Sequence, residues 1–236
     1  MGIEQSRGAE RPAGGSGPAT AEGVSMQILS TEHWSLLATR SLGYTEFFGR
    51  GNMFFSVLSG AVIALALIAQ AGKFETLIVA AILLLAIVFF VGLVTIARIA
   101  QLNYEDALWV VGMNRIRHAY LELRPELKQY FVTSPHDDLP GIFTTLGLTS
   151  VLPGRRLLTD IGHPFTTLPG MLTIIIAVVA GAWAAVVSVA AGAAQPLAIA
   201  AGAAGFSLYI VASIIWNTRF VRRLTKLLAP QFPSPS

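Results

Sequence analysis

LIVAAILLLAIVFFVGLVTIA, residues 77–97, runs for twenty-one residues without a charge or a helix-breaking pair. At about 1.5 Å of rise per residue, a helix of that length covers roughly 30 Å, the thickness of a bilayer's hydrocarbon core. Three more stretches match it in kind: 53–71, nineteen residues with no charge, and then 171–192 and 197–216. Lipid offers no partner to backbone N–H and C=O groups, so such stretches are satisfied only as helices. Gly-Lys-Phe-Glu-Thr (72–76) and the turn around Gln195-Pro196 join them in pairs, and both are too short for anything but tight hairpins. Pro196 suits the first turn of a helix, where its missing N–H costs nothing.

The rest of the composition agrees. Apolar residues make up 54% of the 236, and charged residues only 12%, about half the globular norm of roughly 25%. No charged residue lies between Asp160 and Arg219, and mean hydropathy is +0.64. The expected fold is therefore all-α: a polytopic membrane protein with four transmembrane helices and cytoplasmic helical extensions. Cysteine is absent, which excludes disulfides, thiolate metal sites, iron–sulfur clusters and a cysteine nucleophile. The formal charge of +3 arises at the C-terminal end, where residues 219–236 hold four basic and no acidic side chains. No basic face of the kind that binds nucleic acid is present.

Basic residues near span ends set orientation. Eleven fall on one side, among them Arg98, Arg115, Arg155, Arg156, Arg219 and Arg222, against Lys73 alone on the other. This predicts both termini and the central segment in the cytoplasm of a bacterium, and hence a multi-pass protein of the plasma (inner) membrane. Residues 1–26, rich in Gly, Ala, Pro, Ser and Glu, read as a disordered tail with no cleavable leader. Met26 fits as an alternative start, and Met1-Gly2 with Ser6 meets the loose myristoylation pattern, which short sequences often match by chance.

Helical patterning begins at Ser30 and Thr31, both N-cap residues, with Glu32 suited to the positive end of the helix dipole. Trp34, Leu37, Ser41, Tyr44 and Phe48 then form one stripe up to a break at 49–52. Such a helix suits the membrane interface or a partner helix. The second span continues from Arg98 to Leu123 without a proline. Leu102, Trp109, Ile116 and Leu123 repeat every seven residues, and Ile99, Asp106, Met113, Tyr120 and Leu127 fill the complementary position. This is coiled-coil spacing, either against 31–48 of the same chain or between subunits. Asp106 lies either at the water-facing edge of that seam or buried in it, where a partner from another element is required. Pro125 ends the regular run, with one further turn to Phe131. The residues expected to carry assembly are Trp34, Trp109, Ile116, Tyr120 and Asp106. These segments give one unit over 27–132, a cytoplasmic loop over 133–170, a second hairpin over 171–216 and a basic tail over 217–236.

Candidate chemistry is sparse. His136, Asp137 and Asp138, with His163 further along the same loop, could gather a divalent metal or do acid–base work. Neighbouring side chains diverge, however, and the flanking Pro135 and Pro140-Gly141 suggest a turn with a capping Asp. Walker, zincin and nucleophile-elbow motifs are missing. None of the four spans contains Asp, Glu, Lys, Arg or His, which argues against coupled transport, because intramembrane charge carries the coupling. Small residues recur every four positions at Ser56/Gly60/Ala64, Ala177/Gly181/Ala185 and Ala194/Ala198/Gly202, letting helix backbones approach closely. Arg219, Arg222, Arg223 and Lys226 suit anionic lipid, each worth about 1 kcal/mol near the surface. Pro230, Pro233 and Pro235 then read as an unstructured end. No cofactor is expected.

TEHWSLLATRS (31–41), YEDALWVVGMNRIRHAYLEL (104–123) and YFVTSPHDD (130–138) resemble a group of uncharacterised bacterial membrane proteins, especially actinobacterial ones. The likeness spans roughly residues 30–140 and implies no activity. The layout of interfacial helix, two spans and cytoplasmic helix also resembles SLATT-type proteins, proposed membrane effectors of bacterial conflict systems, from which the hairpin at 171–216 departs. The expectation is a non-enzymatic, self-associating homo-oligomer in the bilayer that acts as a pore, sensor or scaffold. The alternative is a membrane-interface enzyme with a cytoplasmic His/Asp metal site.

Overall fold

The structure, a computed structural model, describes residues 18–147, 167–227 and 229–235. It consists of α1 (Pro18–Gln70), α2 (Phe74–Leu123), a 3-10 turn (Pro125–Tyr130), α3 (Leu139–Thr145), α4 (Leu168–Ala190) and α5 (Gln195–Leu227). The architecture is all-helical, and α1, α2, α4 and α5 are each long and apolar enough to cross a membrane. The two hairpins close at Gly72 (φ 72°) and Gly192 (φ 82°), left-handed positions that a side chain would strain. Asp138 caps α3 by accepting from the Gly141 N–H, and Thr167 caps α4 by accepting from the Gly170 N–H.

The helices stand side by side, with α1 on α2, α2 on α4 and α4 on α5. Phe54 of α1, Val88 and Ile99 of α2, and Leu172 and Ile176 of α4 form one buried core. Gly92 makes room for it, since a Cβ there would lie 2.8 Å from Ile176 and 3.0 Å from Phe54. The Trp183 indole N–H donates to the Ile82 carbonyl at 3.1 Å, pinning α4 to α2. Two of the small-residue stripes interlock within the chain, a Cβ at Gly181 falling 2.8 Å from the Gly202 carbonyl. The third does not, because Gly60 has open space before it.

Several expectations change. No break occurs at 49–52, and α1 is one helix of 53 residues. It begins at Pro18, so 18–26 are helical rather than part of a disordered tail, while residues 1–17 lie outside the described set. Ser30 and Thr31 are not caps. Thr31 bonds back to the Gln27 carbonyl at 2.8 Å, the other local bond open to such a hydroxyl. The expectation for α2 holds, since it runs unbroken to Leu123 before the 3-10 turn.

The face of α1 turned toward α2 is also not the one the stripe suggested. Met26, Leu29, His33, Leu36, Arg40, Gly43, Phe47 and Phe54 are sheltered, whereas Trp34 and Phe48 are 66% and 57% exposed. The sheltered positions keep steps of four and three, so the seam is a heptad lying one residue out of phase with the predicted stripe.

Candidate functional site

Above the spans, α1 and α2 continue as paired arms. Trp109 lies across Gly43, where a Cβ would fall 2.7 Å from the indole ring, and Leu36 lies against Gly112 in the reverse sense at 2.9 Å. Each arm thus offers a glycine notch to a large side chain of the other. Ile99, Leu102, Met113 and Ile116 of α2 are buried along this seam. Asp106 is neither an edge residue nor an unpaired one. Arg40 donates to both its oxygens, at 2.6 and 3.2 Å, and the two side chains are only 18% exposed. Burial opposes the charge on Arg40, but the bond and charge of Asp106, with Tyr44, together outweigh it and raise its pKa. Nearer the spans, Arg98 forks onto Glu46 at 2.8 and 2.9 Å and reaches Glu105 at 3.2 Å. That bond holds the Glu46 carboxyl down at about 2.

His33 and Arg117 sit further along the seam. Burial, and then the charge of Arg117, keep His33 below its usual range, and its Nδ1 is buried without a partner. Arg117 is likewise lowered by burial and by Arg40, and it donates to Asn114 Oδ1 at 2.6 Å. Asn114, fully buried, is a hub. Its NH2 donates to the His136 carbonyl at 2.7 Å, and its Oδ1 also accepts from the Thr145 hydroxyl at 2.9 Å. One side chain of α2 therefore holds both the loop 131–138 and α3 in place.

What this loop presents is a clasp. The Asp137 side chain is wholly buried and accepts three N–H donors. Arg115 Nε reaches Oδ2 at 2.7 Å, the Gln231 N–H reaches Oδ2 at 2.9 Å, and the Phe232 N–H reaches Oδ1 at 2.8 Å. Asp138 accepts from the Ser234 N–H at 2.7 Å and the Ser234 hydroxyl at 2.9 Å, besides capping α3. The Asp137 N–H donates to the Phe232 carbonyl at 3.2 Å. The Phe232 ring stacks on His118, centroids 4.0 Å apart. For both carboxyls burial favours the neutral form, but the converging donors, Arg115 included for Asp137, outweigh it and lower the pKa.

The segment 229–235, expected to be unstructured, is thus fastened to α2 and the loop. The physical reason is that Pro233 has no N–H to satisfy, while its neighbours Phe232 and Ser234 turn theirs toward the Asp137 and Asp138 carboxylates.

Among the residues expected to matter, Trp109, Ile116 and Asp106 meet in the arm seam, Tyr120 is half-buried on α2, and Trp34 faces outward. Asp137 and Asp138 come together around the tail, and no group of three His, Asp or Glu converges as a metal site among the described residues. His163 lies outside those residues, as do Arg155 and Arg156. Arg219 and Arg222 are exposed at the end of α5, and the side chains of Arg223 and Lys226 lie outside the described set. Sequence reasoning gave no site role to Arg40, Asn114, Arg115, Phe232 or Ser234, although Arg40 and Arg115 are among the basic residues that set the orientation. The one available signal was the demand of Asp106 for a partner on another element. Compared with family models, curated proteins and solved structures, the chain matches none.

Proposed function

We propose that this chain is a non-enzymatic scaffold or sensor of the bacterial inner membrane that works as a homo-oligomer, with both termini in the cytoplasm. The uncovered apolar face of the α1 arm carries this reading. Trp34, Leu42 and Phe48 are 66%, 72% and 57% exposed, and Trp34, Leu37, Ser41, Tyr44 and Phe48 keep heptad steps along it. An amphipathic helix would ordinarily lay such a face on the lipid surface. Here α1 is continuous with its span, and its 35 residues from 18 to 52 extend about 50 Å beyond it at about 1.5 Å per residue. A continuous helix cannot both cross the bilayer and lie flat on it, so a second copy is the cover that fits the heptad spacing. Ser56 and Gly60, exposed on the same helix, support the same partner within the membrane. The excess of basic residues on the side of the arms supports the cytoplasmic orientation. Arg219 and Arg222 at the end of α5 suit anionic headgroups.

Native mass spectrometry of the protein released from nanodiscs tests this. A multimer is expected, reduced to monomer by Trp34→Glu with Leu42→Glu, with helix content unchanged because neither residue touches the α1–α2 seam. A monomeric parent protein would refute the reading.

A further inference from the structure

The clasp around residues 229–235 does more than tidy the chain's end. Without those residues, Asp137 would keep one of its three donors, Arg115, and Asp138 would keep only the Gly141 N–H that it caps. Two neighbouring carboxylates left open to water on these sides suit a ligand that brings N–H groups, since hydrogen bonds to an ionised acceptor are the stronger kind. The three that fill it are two successive backbone N–H groups and a third two residues on, from Gln231, Phe232 and Ser234. Between the second and third lies Pro233, which has none to offer.

We propose that the cleft between the end of α2 and the loop 131–138 is a peptide-binding site for extended Phe-Pro-Ser segments, and that the chain's own tail is its resident, displaceable ligand. Each position of the ligand is read by a different contact. Phenylalanine is selected by the face of His118, with ring planes 23° apart. The residue after it needs no N–H, which suits proline and its pre-set extended backbone. Serine is selected by the two-point grip of Asp138 on its N–H and hydroxyl. The return bond from the Asp137 N–H to the Phe232 carbonyl fixes the direction of the strand.

The tail holds the site by its tether. Only residue 228 separates the end of α5 from the docked segment, and so short a link gives an effective concentration of about 1 mM. A peptide in trans therefore competes poorly with the native tail and well once the tail is weakened. Peptide binding and self-association are read by separate measurements, so either can fail without the other.

The experiment uses the full chain in nanodiscs, with Phe232→Ala and Ser234→Ala in its tail and the cleft intact. The probe is a fluorescent peptide of residues 229–236, followed by anisotropy. Saturable binding is expected, at least about tenfold tighter than to the chain with its native tail. A phosphoserine at 234 places like charge against Asp138, and that peptide, like one carrying Phe232→Ala, is expected to bind about tenfold more weakly or worse. Asp137→Asn in the cleft should remove binding while helix content by circular dichroism is retained. Equal binding to both tails, binding indifferent to Asp137→Asn and to the peptide changes, or none at about 10 mM peptide, well above the tether's effective concentration, would each overturn the proposal.

Discussion

Gly43→Ala is the sharpest probe of the arm seam, because its sign depends on a residue 66 positions away. An alanine in a helix interior is favoured over glycine by about 1 kcal/mol. At position 43 its Cβ would lie 2.7 Å from the Trp109 ring, closer than carbon atoms tolerate, and overpacking of that kind costs about 1–3 kcal/mol. The single change should therefore be neutral to destabilising by about 2 kcal/mol. Trp109→Ala alone removes a half-buried indole and should cost about 2 kcal/mol, less than the roughly 3–5 kcal/mol of a fully buried one. In that background the methyl at 43 meets nothing, so Gly43→Ala should become stabilising by about 1 kcal/mol. The coupling between the two sites is then about 1–3 kcal/mol and favourable to the double variant. Hydrogen exchange over peptides spanning 30–50 reads the local opening of the arm, and at about 1.4 kcal/mol per factor of ten the coupling corresponds to roughly five- to a hundredfold in exchange rate. Additive effects, agreeing within about 0.5 kcal/mol, would mean that Trp109 does not occupy the Gly43 notch.

Arg40→Ala leaves Asp106 unpaired at 18% exposure, between the roughly 0–1 kcal/mol of an exposed pair and the 3–5 of a buried one. A cost of about 2 kcal/mol is expected by the same exchange assay, with the Arg40→Ala/Asp106→Ala double variant costing less than the sum of the singles. The Glu46 carboxyl is depressed from 4.5 to about 2, so its contribution to the arms is complete above pH about 4.5 and fades as pH falls toward 2. Circular dichroism on acidification should show that loss, and Glu46→Gln should remove that part of the pH dependence. The Asp137 and Asp138 carboxyls are also depressed. Exchange protection of the Phe232 and Ser234 amides should therefore survive as pH falls through the ordinary carboxylate range and be lost below it. Asn114→Ala strips the His136 carbonyl and the Thr145 hydroxyl of a fully buried partner, and should cost about 2–3 kcal/mol, seen as deprotection of 131–147 with the spans unaffected.

The membrane spans were readable because lipid imposes one rule on every residue, and a run such as 77–97 has no other stable reading. The long α2 arm was equally plain, since nothing from Arg98 to Leu123 interrupts a helix. The partner face of α1 was not. Hydrophobicity favoured Trp34, Leu37, Tyr44 and Phe48, yet the positions that meet α2 include His33, Arg40 and Gly43, each inconspicuous in an apolar count. Glycine marks the seam by what it lacks, and Arg40 only by the carboxylate it answers. The start of α1 was misjudged for a related reason. Ser30 and Thr31 suit a cap as well as a mid-helix bond to the preceding turn, and the decision rests on whether α2 is alongside. The tail was the hardest to see. Three prolines in its seven docked residues signal extended chain, but an extended chain is ordered only by what receives it. Its receptors, Asp137 and Asp138, lie about a hundred residues earlier in a segment that looked like a metal site or a turn.

These contacts make α2 the post on which the molecule is assembled. Through its span it carries α1 and α4 around one shared core, and through its arm it carries the α1 seam, the Asn114 hub and the clasp. Helix α5 is the exception, since its main packing is on α4. It meets α2 at Phe89 and Tyr209, with ring centroids 5.9 Å apart, at Tyr104 and Phe220, 6.4 Å apart, and again through the tail beyond its end. The docked tail therefore adds a second return from α5 to α2. If the tail is the displaceable ligand proposed above, a shift of α5 in the bilayer has the Asp137–Asp138 cleft as one place to act, through release of the tail. Because the tail is held by N–H groups on two carboxylates and one stacked ring, its release exposes a site already shaped for another segment of the same kind. A displacement inside the membrane would thus have a chemically specific consequence outside it, without any charge placed in the spans.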